Sequence, residues 1–400
     1  MNIAIYTLTS TLHDPQAVDA LTREFLSSLQ VPYLLKGSDF SDYGTHDLNL
    51  IYVRTGGTEG IFRQLMPELA HKSNSPFYLL ASDKSNSLAA SLEILSYLRQ
   101  QGKQGEILHG NPAYIASRIQ VLWRVESAVK HLHHCRLGII GEPSDWLIAS
   151  HANAEIVRQK LGIELIAIPM RELIDTWSTT SEPKPEVHCD MPQVEKALPG
   201  ALRIYEALRA IVQKYGLQGF TLRCFDLLEA VHNTGCWALA KLNSEGIVAG
   251  CEGAVPTLLT MMLHRALSGS SSFQANPARI DPETGEMLFA HCTIPFDMVS
   301  RYELDTHFES GIGVGIRGYV QEGPVTVSKV AGDLSRAFVA EGTLLRCQAA
   351  PDLCRTQLAV RLAHPADTDY FLTNPIGNHH VIATGRHAAA LQALLRRCAI

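Results

Sequence analysis

The first third of the chain alternates short β-type runs with amphipathic helical stretches, and this constrains the fold more than any other feature. "NIAIYTL" precedes helical periodicity in "DPQAVDALTREFLSSL", "LNLIYVRTGG" precedes "TEGIFRQLMPEL", and "SPFYLLA" precedes "NSLAASLEILSYLRQQ". Parallel strands need a connection long enough to return to the same edge, so apolar runs separated by amphipathic helices predict a parallel sheet with crossover helices. The long helical stretch "NPAYIASRIQVLWRVESAVKHLHH" follows, and then the alternation restarts. "RLGIIGEPSDWLIAS" reads as strand, turn and helix start, "GIELIAIPM" as a strand, and "PQVEKALPGALRIYEALRAIVQKYG" as a long helix. Between the last two, "TWSTTSEPKPEVHCD" reads as a mobile loop.

Past residue 218 the pattern changes. "FTLRCFDLL" reads as a strand, and "HNTGCWALAKLNSEG" and "GAVPTLLTMMLHRAL" as helices. From "EMLFAHCTIP" onward the runs are short and β-type: "GVGIRGYV", "PVTVSKV", "AFVAEGTLLRC", "TQLAVRLAH" and "DYFLTNP". The expectation is two N-terminal Rossmann-like α/β lobes, residues 1–118 and 119–217. A mixed α+β domain with a barrel-like β-rich end follows, residues 218–400.

The chain's 400 residues, 46% hydrophobic, suit a globular protein of more than one core. The net charge of −6 comes from mixed signs, with no basic stripe for nucleic acid and no polybasic segment for an anionic membrane. No apolar run approaches the roughly 18 residues of a membrane span, and the opening "MNIAIYTLTSTLHD" lacks a basic n-region, so a cytoplasmic location is expected. Nine cysteines without CxxC pairs suit reduced thiols. A small molecule is the expected partner.

Several segments carry residues suited to chemistry. "VRTGGTEG" and "IIGEPSDWL" each follow a strand and open toward a helix, where backbone N–H groups meet anions, although Thr58 or Ser144 would equally serve as a plain helix cap. In "VAGCEGAVPTLL", Glu252 leaves a small-residue strand and precedes a helix, where a carboxylate either complements the helix dipole or acts as ligand or base. His291 ends an apolar strand in "MLFAHCTIPFDM", His307 and Glu309 stand in "DTHFESGIGVGIRG", and His379 and His380 in "NPIGNHH". Taken singly, each histidine fits a core or loop position as well as a metal site.

Their order, with CEG, AHC-x-x-P, HFESG, GPVT and a C-terminal G-x-HH, resembles the L-fucose and L-arabinose isomerase superfamily, and more closely its shorter fucose isomerase-like members. "TGGTE", "PSDWLIAS" and "CFDLL" extend the resemblance over most of the chain. The resemblance implies a metal-dependent aldose–ketose isomerase acting through an enediolate on an open-chain pentose, 6-deoxyhexose or acidic, sulfonated hexose. It implies a divalent cation, commonly Mn²⁺, with Co²⁺, Fe²⁺, Mg²⁺ and Zn²⁺ as alternatives. Glu252 matches a ligand and acid/base carboxylate, His291 a histidine near the metal, and His380 the C-terminal histidine ligand. His379, His307, Glu309 and Arg317 become substrate-binding candidates. The family's second carboxylate aligns with Ala275 and Asn276, so Asn276 becomes a polar catalytic-site residue and Asp281, His291 and Glu309 become stand-ins. Ala254 departs from the usual "CEGD". The resemblance also implies a trimer or hexamer with the site at a subunit interface. A sugar-binding or regulatory protein without catalysis, and a metal-dependent aldolase-type lyase, are the competing expectations.

Overall fold

The protein is described by a computed structural model covering residues 2–185 and 187–400. It divides into two compact units between Ser127 and Ala128. In the first, β1 (Ile3–Leu8), β2 (Leu34–Gly37), β3 (Leu48–Val53), β4 (Phe77–Ala81) and β5 (Gly105–Leu108) form a parallel sheet in the order β2-β1-β3-β4-β5. β1, β3 and β4 are buried along their whole length, which is why they read as unbroken apolar runs rather than as an alternation.

The second unit opens with another parallel sheet, made of β6 (Arg136–Ile140), β7 (Glu164–Ile168), β8 (Gly219–Leu222) and β9 (Val248–Cys251), in the order β7-β6-β8-β9. The boundary expected at 217/218 falls immediately before β8. The short runs "GFTL" and "VAGC" are buried throughout and complete this sheet beside β6. The sequence between β6 and β7 leads one way across the sheet and the path to β8 leads the other. This reversal makes the carboxyl edge of β6 and β8 a natural ligand crevice.

The barrel follows. β10 (Phe273–Asp281), β11 (Glu286–His291), β14 (Gly323–Val330), β15 (Ala337–Gln348), β16 (Thr356–Leu362) and β17 (His380–Thr384) close antiparallel in the order β10-β11-β16-β15-β14-β17. β12 (Arg301–Asp305) and β13 (Gly315–Tyr319) form a separate ribbon. Phe273, Phe289, Val327, Val360 and Ile382 pack in one buried core, each spaced by the two-residue period of its strand. The helix Val255–Ser268 packs against β9, β14 and β17 and so joins the parallel sheet to the barrel. Thus the fold is that of parallel α/β units followed by a closed six-strand barrel.

Two local expectations are corrected. "DYFLTNP" is not a strand: Thr368–Thr373 is a short helix that presents Tyr370 and Phe371 to the start of β17. Its stacked Tyr370–Phe338 contact shows that packing on the barrel outweighed the β propensity of its aromatics. The helix Met170–Thr179 also takes the first four residues of the expected loop "TWSTTSEPKPEVHCD", of which residue 186 lies outside the described residues. Pro277 is accommodated within β10 at a bulge between Pro277 and Arg279, where the missing N–H breaks no regular ladder. Among the described residues, no helix is long and apolar enough to cross a membrane.

Candidate functional site

Glu252 immediately follows β9, at the carboxyl edge of the second sheet, and its backbone takes φ 61°, the left-handed region that side chains other than glycine rarely occupy. The conformation is held from several sides. Gln274 on β10 accepts the Cys251 N–H at 2.9 Å and donates to the Cys251 carbonyl at 3.2 Å. The Glu252 carbonyl accepts the Ser144 N–H at 3.0 Å. Next in the chain, Gly253 has φ 70°, and a Cβ there would stand 2.5 Å from the Glu142 carbonyl oxygen. Two loop backbones therefore touch where only glycine fits. A non-glycine residue persists in this conformation only where its surroundings over-determine it.

The Glu252 side chain is buried between two imidazoles from the barrel. His291, at the end of β11, places Nε2 3.6 Å from Glu252 Oε1, and His379, just before β17, places Nε2 3.3 Å from the same oxygen. The two rings meet edge to face at 5.4 Å. Burial pushes the Glu252 carboxyl up, but the His291 and His379 imidazoles outweigh it and hold the group well below the usual carboxylate range. The His379 imidazole is shifted down, chiefly by burial, which favours the neutral form able to act as a ligand. On its far side His291 Nδ1 meets Thr293 Oγ1 at 3.0 Å, an outer contact that sets the ring's orientation.

Donor atoms of Glu252, His291 and His379 all lie within 4.8 Å of one another, a buried group able to hold a metal ion. A fit test comes from His379 itself: the residue is 1% exposed, its Nδ1 has no partner, and its Nε2 meets only Glu252 Oε1, without hydrogen-bond geometry. Asn276 Oδ1 is likewise buried without a partner, two residues from Gln274 on the same face of β10. Buried polar atoms seldom stay unpaired, so this clustering suits a cation that takes imidazole and oxygen donors.

His380 is placed apart from this group. Neighbouring strand residues point to opposite faces, and it is His379 that turns toward Glu252. His380 turns into the aromatic group of Phe338, Tyr370 and Phe371, with Nε2 3.0 Å from Tyr370 Oη and Nδ1 3.0 Å from the Asn378 carbonyl. Burial holds its pKa down at about 3. Asp281 is also removed from the site. It is exposed at the β10–β11 hairpin, where its carboxylate accepts from the Glu283 N–H at 3.0 Å and the Thr284 hydroxyl at 2.7 Å.

His307 lies at the edge of the group. Its ring packs edge-on against Phe225 at 5.6 Å, its Nδ1 is 3.0 Å from Ser310 Oγ, and burial followed by the His291 charge lowers its pKa to about 4. Glu309 is exposed beside it. Arg317 is committed to the β12–β13 ribbon, with Nη2 3.4 Å from Asp305 and Nε 3.9 Å from Glu303, although its Nη1 is buried and unpaired. Cys251 points away from the imidazoles, its sulfur 3.0 Å from that of Cys224.

Sequence reasoning passed over Trp146, Phe225 and Gln274. Trp146 Nε1 donates to Glu252 Oε2 at 2.8 Å, and its ring packs edge-on against Phe225 at 4.8 Å. The available signal was position, since Trp146 and Phe225 follow β6 and β8 at the same sheet edge that Glu252 leaves after β9.

With the cluster in view, comparison with known proteins points one way. The chain is similar to sulfoquinovose isomerases. It is 23% identical over 219 residues to the sulfoquinovose isomerase of Alkalicoccus urumqiensis, a match covering 52% of this chain and 49% of that one. It is 23% identical over 221 residues to that of Priestia megaterium, again covering 52% and 49%, and 24% identical over 191 residues to that of a Clostridium species, covering 44% and 42%. The matches span about half the length of these curated relatives. No family model matches the chain.

Proposed function

We propose that the protein is a divalent-metal-dependent aldose–ketose isomerase acting on an open-chain sugar. Glu252, His291 and His379 would hold the metal, with Asn276 Oδ1 as a neutral oxygen beside them. The observation that carries the reading is the convergence of two buried imidazole Nε2 atoms on one carboxylate oxygen, with His379 left without any other partner. A divalent ion bound there, Mn²⁺ being the one the family resemblance implies, would act as a Lewis acid on the sugar oxygens. Glu252, kept ionised by its imidazole neighbours, takes the proton from C2 to give an enediolate and returns it to C1 on the same face, while the O2 hydroxyl proton passes to O1. His291 and His379 orient the reacting end. Phe225 packs edge-on against both Trp146 and His307 beside this group.

Among the sugars considered, the sulfonated hexose is favoured by the relatives' names, since sulfoquinovose is a hexose carrying a sulfonate. A homo-oligomer with the site near a subunit interface is part of the same proposal. The missing second carboxylate at Ala275 and Asn276 favours one alternative, a sugar-binding protein that no longer turns substrate over.

The test is incubation with Mn²⁺ and a panel of neutral and sulfonated aldoses in D₂O, followed by NMR. Ketose formation with metal-dependent deuterium incorporation is expected. Tight binding of one sugar with neither exchange nor conversion would replace the isomerase with the binding protein, and release of a cleaved fragment would indicate a lyase.

A further inference from the structure

The segment after β6 is a loop that carries Trp146 to Glu252. Leu147 anchors it in the core at 4% exposed, whereas Trp146 is 53% and Ile148 is 86% exposed, and it is tied down at several further points. Arg223, just past β8, donates to the Pro143 carbonyl at 2.8 Å and to Asp145 at 3.0 Å, and is itself anchored by Asp226 at 3.0 Å. Ser144 N–H is held by the Glu252 carbonyl at 3.0 Å, and Leu147 N–H closes a turn on the Ser144 carbonyl at 2.8 Å. The close approach of Gly253 to Glu142 and Pro143 completes the attachment.

What the loop delivers is an indole N–H aimed at a buried carboxylate. A half-exposed indole has water available and needs no internal acceptor. The contrast within the chain is direct: the Nε1 atoms of Trp177 and Trp237 are buried and unpaired, whereas that of Trp146 reaches inward 2.8 Å to Glu252 Oε2. The two oxygens of Glu252 are thereby divided, Oε1 toward the two imidazoles and Oε2 toward the indole. A bond from a neutral donor to an ionised acceptor is strong and directional, so it sets the carboxylate plane.

We infer that Trp146 is a positioning residue for Glu252, holding Oε2 so that Oε1 stays aimed at the space between His291 and His379. Arg223 fixes the loop that carries it. The inference rests on the metal-site reading above. Trp146→Phe keeps the packing against Phe225 and removes only the N–H.

The test is Mn²⁺ titration of chelator-treated full-length protein, followed by electron paramagnetic resonance and tryptophan emission. Trp146→Phe is expected to weaken Mn²⁺ binding by about 10-fold to 100-fold, the usual loss for an outer partner of a metal ligand, with an unchanged melting temperature. Ile148→Ala, on the same loop, should bind like the wild type. In metal-free protein Glu252→Gln should alter tryptophan emission, and should do so no longer when Trp146 is already Phe. Wild-type affinity in Trp146→Phe, or an equal loss in Ile148→Ala, would overturn the positioning role while leaving the metal site standing. Failure of the wild type to bind Mn²⁺ would overturn the metal reading and this role together. In that case the emission experiment would still show whether the indole touches Glu252.

Discussion

Two strand-to-helix turns, "RTGGTEG" after β3 and "CEGAVP" after β9, look comparable as sequence and differ in what they leave unsatisfied. In the first, Thr55 Oγ1 accepts the Ser10 N–H at 3.0 Å, Thr58 Oγ1 donates to the Thr55 carbonyl at 3.0 Å, and Gly56 N–H reaches the Ser85 carbonyl at 2.8 Å. Arg54 beside it is taken by Asp19 and Thr9. The turn closes on itself. In the second, Glu252 adopts a left-handed backbone, two imidazoles crowd one of its oxygens, and His379 and Asn276 keep buried atoms without partners. A turn whose polar groups satisfy one another is structural. One whose buried groups converge without satisfying one another is built for something to enter.

The contrast breaks most sharply at Glu252. Glu252→Gln should reduce ketose formation by about 10³-fold or more, since general-base catalysis alone contributes about 10² to 10⁴; near-normal turnover would move the chemistry elsewhere. Next come the paired histidines. His379→Ala should lower Mn²⁺ affinity by about 100-fold or more, whereas His380→Phe should leave it within a few-fold and act on thermal stability instead. The reverse pattern would restore His380 as the ligand.

Acid sensitivity offers a third comparison, between the site and the helix that follows it. His264 is fully buried, with Nε2 2.7 Å from Ser328 Oγ, and burial followed by the His387 charge lowers its pKa to about 3. Because the folded value lies below the unfolded one, near 6.5, the unfolded chain binds the proton first. Stability is therefore lost as pH falls from about 6.5 to about 3, by as much as about 4 kcal/mol for this one group. Denaturation midpoints measured across this window should show His264→Gln with a shallower decline than the wild type.

Gly253→Ala should cost about 2 kcal/mol, because it combines a left-handed backbone with a Cβ placed 2.5 Å from the Glu142 oxygen, and it should lower Mn²⁺ affinity as well. The smallest effect belongs to the other turn. Thr58→Val removes one buried hydrogen bond, and should cost about 1 kcal/mol without changing turnover. A loss of activity there would end the distinction between the two turns.

Much of the architecture was legible because it depends on local period. Runs such as "NIAIYTL" and "LNLIYV" are buried on both faces of a parallel sheet, and the helices between them carry clear apolar stripes. "DYFLTNP" misled because a short aromatic run has no intrinsic choice between strand and helix, and its packing on Phe338 and His380 made the choice. That β8 and β9 join the sheet of β6 and β7 was not legible, because four-residue apolar strands do not disclose which sheet they join.

The same division runs through the site. From sequence alone come the alternation that makes parallel sheets and the β-rich end, because local spacing limits fold class, whereas the candidacy of Glu252, His291 and the histidine pair as a metal site came from the order of their motifs and its resemblance to a family. Which member of the pair faces Glu252 was settled by where β17 begins, since a one-residue change in strand phase reverses every side chain. That Asp281 stands outside while Trp146 stands inside depended on a hairpin and on Arg223 bridging two loops, contacts between residues 78 to 106 positions apart in the latter case. Such contacts leave no periodic trace in the chain, because only the closed fold brings the residues together.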